Sequence, residues 1–127
     1  MRKAVTFEQI GDFSKTKKYL KRIHNIDFQR MLQAYARRGV TALMNATPKD
    51  TGLTASMWNF KIEITNEKII INFTNSNVVN GIPIAMLIEF GHATRNGGFV
   101  EGINYINPTL EPIFKEMSEE IWREVTM

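Results

Sequence analysis

The chain has 127 residues, 43% of them apolar, and no cysteine. That length suits one domain with an ordinary core, and the composition excludes wholesale disorder, disulfides, thiolate nucleophiles and cysteine metal sites. The net charge of +3 is unevenly spread: residues 1–40 carry ten basic and three acidic side chains, 41–100 four of each, and 101–127 two basic and six acidic.

In chain order, the first dozen residues are ambiguous, because alternation over Ala4–Ile10 is imperfect and Gly11-Asp12 marks a break. Ser14 is read as the cap of a basic helix over Lys15–Ile23. Tyr19, Leu20 and Ile23 share one side of it, and Lys15, Lys17, Lys18, Lys21 and Arg22 face water or a partner. Asp27 is the expected cap of a longer helix over Phe28–Ala46, whose apolar stripe is Phe28, Met31, Leu32, Tyr35, Ala36, Val40, Leu43 and Met44. Gly39 costs about 1 kcal/mol relative to alanine there, so it marks either a close approach or a bend. The helix should fail at Thr47-Pro48, since proline disfavours helical backbone in its predecessor. Lys49-Asp50-Thr51-Gly52 reads as a turn, with Asp50 or Thr51 capping a short turn through Ala55.

From Trp58 the period becomes two. Trp58, Phe60, Ile62 and Ile64 alternate with polar residues, and after a turn at Asn66-Glu67 Ile69, Ile71 and Phe73 alternate with Ile70 and Asn72, predicting a β-hairpin. Asn75–Pro83 reads as loop, and Ile84–Phe90 as a short helix stopped by Gly91. His92–Asn104 is polar and glycine-rich, a loop long enough to be functional or to order only on binding. Tyr105-Ile106 is expected to be a short strand. Thr109 then caps a terminal helix over Leu110–Val125, placing Pro112 in its first turn. Leu110, Ile113, Phe114, Met117 and Ile121 line one side, and Trp122 lies beside that line. Neither repeats nor a linker divide the chain. The expected fold is one α+β domain: a small antiparallel sheet with a hairpin, packed against a long helix of the N-terminal half and a C-terminal helix.

Residues 42–112 carry an ordered set of signals. Ala46-Thr47-Pro48-Lys49-Asp50-Thr51-Gly52-Leu53 leads to Ser56, the hairpin, Ile88-Glu89-Phe90-Gly91-His92, and Asn107-Pro108-Thr109-Leu110-Glu111-Pro112. This order resembles the small tail-completion or head–tail joining (neck) proteins of long-tailed bacteriophages, over about residues 14–125. It departs at Ile84, where the family often has tyrosine, and at His92-Ala93-Thr94, where Gly-Thr is common. The resemblance implies a structural virion protein, monomeric alone and a hexameric ring at the head-proximal end of the tail. Its implied partners are further copies, tail-terminator or head-closure proteins, and DNA in passing.

The residues themselves offer little for catalysis. Glu89 and His92 could form a proton-transfer pair in a pocket, but no nucleophile or second base accompanies them, so an interface or turn role is preferred. His24 reads as solvent-exposed or a local cap, and Asp50 and Thr51 as turn organisers. Gly97-Gly98 has no phosphate-binding lysine after it. No metal-ligand spacing is present, and no cofactor is expected. No run of 18 apolar residues and no signal-peptide core occur, so the reading is a soluble protein made in the cytoplasm, without membrane contact.

Two functions from different classes follow. Opposed terminal charges suit head-to-tail contact between subunits. The same basic half suits phosphate contact, which makes a nucleic-acid-binding module the alternative. The expected interface collects Lys17, Lys18, Lys21, Arg22, Arg37, Arg38, Asp50, Glu89, His92, Arg95, Phe99, Glu116, Glu120 and Trp122.

Overall fold

The computed structural model describes residues 3–10, 25–48, 52–65 and 68–126. Strand β1 (Lys3–Ile10) precedes helix α1 (Ile26–Ala46), the short helix α2 (Gly52–Ser56), and strands β2 (Trp58–Ile64) and β3 (Lys68–Asn75). Then come β4 (Val78–Val79), β5 (Ile82–Pro83), helix α3 (Ile84–Phe90), β6 (Gly91–Ala93), β7 (Phe99–Glu101) and helix α4 (Ile106–Thr126). The main sheet has the order β1-β3-β2, all antiparallel, so β3 is central. The α+β expectation holds, with the hairpin and both long helices in place.

The hairpin register follows from the alternation. Phe60 opposes Phe73, Ile62 opposes Ile71, and Ile64 opposes Ile69, which puts all six on one face. Against that face lies α1, whose Phe28, Leu32, Tyr35, Ala36 and Leu43 are buried with Ile69, Ile71 and Phe73. Leu32→Ala would leave a cavity in this layer at a cost of roughly 2–5 kcal/mol. Met44, expected in the stripe, is instead 41% exposed, because it lies on the outer side of the helix. Gly39 is a close approach and not a bend: a Cβ there would meet the Phe73 ring at 2.7 Å and Leu110 at 3.3 Å. It is where α1 touches the sheet and α4 together.

Both helix starts lie earlier than expected. Asn25, not Asp27, caps α1, accepting the Asp27 N–H on Oδ1 at 2.8 Å. Helix α4 begins at Ile106, so Tyr105-Ile106 is no strand, Thr109 is no cap, and Pro112 falls inside the helix. Pro112 and Pro108 are both exposed, so the carbonyl deprived of its N–H partner can meet water. From α4, Ile106, Leu110, Ile113, Met117 and Ile121 complete the core, and the Phe114 ring lies 5.9 Å from that of Phe73.

Thr47 ends α1 and ties it to the sheet. Its backbone N–H and its hydroxyl both donate to the Leu43 carbonyl, at 2.9 and 2.6 Å, and its oxygen accepts the Trp58 indole N–H at 2.9 Å. Nearby, buried Asn75 donates to the Thr54 carbonyl at 2.8 Å and accepts the Asn77 N–H at 3.0 Å. Asn77 in turn donates to Thr54 Oγ1 at 2.9 Å. These bonds satisfy polar groups that would be costly to bury alone. They also explain why the Thr-Pro and following segments sit where hairpin and helix meet. Beyond them, the stretch read as loop holds the β4–β5 hairpin, turned by Asn80 and Gly81 at positive φ.

The helix expected over Lys15–Ile23, its Ser14 cap, the capping role of Asp50 or Thr51 and the Asn66-Glu67 turn lie outside the described residues.

Candidate assembly surface

The sequence from Ile84 to Tyr105 builds an arm on a clamped base. Helix α3 stops at Gly91, whose φ of +81° suits glycine and whose N–H donates to the Leu87 carbonyl. Gly91 and Gly102 cross here backbone to backbone: a Cβ on Gly91 would lie 2.4 Å from the Val100 oxygen, and one on Gly102 would lie 2.3 Å from the Glu89 oxygen. Beside the crossing the Ile103 N–H donates to the Ile88 carbonyl at 2.8 Å.

Glu89 completes the clamp. Its carboxylate is 7% exposed and accepts the backbone N–H groups of Tyr105 and Ile106, each at 2.9 Å. These are unpaired donors at the start of α4, where a negative charge is favoured. Glu89 is therefore the remote cap of α4, buried rather than available to a partner as expected. It also makes no proton-transfer pair with His92, which is exposed on the arm. The Tyr105 hydroxyl donates to the Ala85 carbonyl at 3.3 Å, and burial pushes its pKa up to about 12.

Outward from this base the stretch expected to be irregular forms a two-stranded hairpin, with His92 opposite Val100 and Ala93 opposite Phe99. Its turn is held by Thr94, which accepts the Gly97 N–H on its carbonyl and the Gly98 N–H on its hydroxyl, at 3.2 and 3.0 Å. Every residue from His92 to Asn104 is exposed. Three of them are large and apolar: Phe99 (64% exposed), Val100 and Ile103. Phe90 at the arm's root is 69% exposed. Between the arm and α3 lies a hollow of about 370 Å³, walled by Ile84, Leu87, Ile88, Val100 and Ile103, with Pro48 beside it and His92 and Glu101 among its polar lining.

The second cluster is polar and lies across the α1–α4 seam. Arg38 pairs with Glu116 at 2.9 Å and stands over the Tyr35 ring, 5.1 Å from its centroid. The hydrogen bond holds the Glu116 carboxyl below its ordinary pKa and raises that of Arg38. The Tyr35 hydroxyl donates to Glu120. Its pKa rises to about 12, first through burial and then through this bond to a carboxylate.

The expected interface thus separates into parts. His92, Arg95 and Phe99 stand on the arm, while Arg38, Glu116 and Glu120 bind one another's helices within the subunit and Arg37 is exposed on α1. Trp122 is 41% exposed on α4. Lys17, Lys18, Lys21, Arg22 and Asp50 lie outside the described residues. Part of the opposed charge read as attraction between subunits is satisfied inside one subunit. Val100 and Ile103 are absent from the expected interface because the polar, glycine-rich character of 92–104 obscures its apolar residues, and Phe90 is absent because it reads as part of the short helix over Ile84–Phe90.

Among the described residues no group of three or more His, Asp or Glu side chains could hold a metal ion, and no helix is long and apolar enough to cross a membrane. No protein-family model matches the chain, and no curated protein or solved structure matches it.

Proposed function

We propose that this chain is a structural component of the neck of a long-tailed bacteriophage. In this reading it completes the tail and joins it to the head as a subunit of a ring, most simply sixfold, with the arm as its assembly element. The observation that carries the reading is an arm whose residues are all exposed although three are large and apolar. A two-stranded hairpin is marginal in water unless it packs on something, and this one has little of its own chain to pack on. A second polypeptide supplies what is missing. The ordered segments around Thr47-Pro48, Ile88–Gly91 and Asn107–Pro112 supply the neck-protein part of the reading. The Gly91–Gly102 crossing and the Glu89 cap give those segments a physical role, which is to aim the arm.

Light scattering of the chain, alone and with a tail-terminator protein, tests this. The expected result is monomer or weak oligomer alone and a ring-sized complex with the partner. Persistent monomer without a complex contradicts it. Titration with duplex DNA at about 150 mM salt, where surface attraction is largely screened beyond roughly 8 Å, separates the alternative. Tight, salt-dependent binding with no protein partner would favour a nucleic-acid module instead.

A further inference from the structure

We infer that the arm of one copy docks along the outer edge of β2 in a second copy, over the groove between β2 and α1. This rests on the assembly reading above and names the two surfaces that meet. The order β1-β3-β2 leaves β2 without a neighbouring strand on its outer side among the described residues, so its backbone there offers donors and acceptors to an added strand, with the Phe60 N–H held by the Asn59 side chain at 2.8 Å. Ile62 and Ile64 are only half-buried beside that edge. With Leu32, Gln29 and Gln33 of α1 they line a groove of about 290 Å³. An added strand would pair with the edge and cover these side chains, the usual way an extended segment joins a sheet.

The arm has the complementary properties. Among the described residues its two strands pair with each other alone, so each keeps an outer edge, and Phe99, whose ring edge lies near Gly91, leaves most of its surface exposed to a partner. The hollow at the arm's root includes Pro48, just past the C-terminal end of α1, whereas Gln29 and Gln33 lie in its first turns. About 20 Å of α1 separates Gln33 from Ala46 at that end. Donor and acceptor are different surfaces of one subunit, which makes the contact head-to-tail; such a contact repeats from copy to copy and closes into a ring when the rotation allows.

The absence of cysteine gives a direct test. A chain carrying Asn96→Cys at the arm tip and Gln33→Cys at the groove is treated with a short bis-maleimide, which traps transient encounters. The expected product is a covalent ladder of two, three and more chains, which a link within one subunit cannot give. Adding Phe99→Asp, with an unchanged melting temperature as the check on folding, should reduce the ladder roughly tenfold or more, as loss of one buried phenylalanine implies. A ladder unchanged by Phe99→Asp overturns the inference. Oligomers in light scattering without a ladder overturn this contact alone and leave the assembly reading standing. Monomer with a tail-terminator protein present as well as without it, and no ladder, overturns both.

Discussion

Glu89 holds the backbone of Tyr105 across sixteen residues of chain, accepting its N–H at 2.9 Å and so fixing where the arm ends and α4 begins. Removing that carboxylate in Glu89→Ala leaves two buried N–H groups without an acceptor. Hydrogen bonds to a charged group contribute roughly 1.5–3 kcal/mol each, so the expected loss is about 3 kcal/mol or more, read as a lower urea midpoint. Glu89→Gln keeps one carbonyl oxygen and should lose less. An unchanged midpoint in the alanine variant would show that Glu89 does not cap α4.

At Gly39 the expectation runs against helix propensity. Alanine is favoured over glycine inside a helix by about 1 kcal/mol, yet a Cβ here would stand 2.7 Å from two Phe73 ring carbons. Overpacking of this kind costs roughly 1–3 kcal/mol, so Gly39→Ala should be neutral to destabilising in thermal unfolding. Clear stabilisation would mean that α1 does not press on the sheet at this point.

Alkaline pH should weaken the fold. Tyr35 and Tyr105 rise from an ordinary 10.0 to about 12, so between these values the folded state retains protons that the unfolded chain has lost. Stability from both groups is complete below pH 10 and falls as pH climbs toward 12. Urea midpoints measured across this range should drop for the native chain and drop less for Tyr105→Phe. Parallel curves would show that Tyr105 does not contribute.

Regular periods made the centre of the fold legible. The stripe from Phe28 to Leu43 and the alternation from Trp58 to Phe73 are repeated many times, so one misplaced residue such as Met44 does not obscure them. Ends were harder, because caps are single events. Asn25 and Asp27 are both competent caps two residues apart, and only geometry selects Asn25. The start of α4 was illegible for a different reason: its cap is Glu89, far outside any local window, and Thr109 offered a plausible substitute. The β4–β5 hairpin was marked by Asn80-Gly81, a strong turn signal overlooked because the strands beside it are two residues long. In the interface, Glu89 looked available because its motif is local while its burial is tertiary.

The arm should change its exchange behaviour on assembly. Its strand amides, exposed and on a hairpin of marginal stability, are expected to exchange rapidly in the isolated chain and to gain protection in the assembled form. Hydrogen exchange over residues 92–104 with and without assembly reads this directly. Equal protection in both states would detach the arm from assembly.

Sedimentation equilibrium of the native chain beside a Val100→Lys/Ile103→Lys variant tests the arm's role most directly, because both positions are exposed and apolar. With a tail-terminator protein present, the native chain should show a ring-sized mass, while the variant melts at the same temperature and does not assemble. Equal masses for the two at every concentration would contradict the arm as the assembly element.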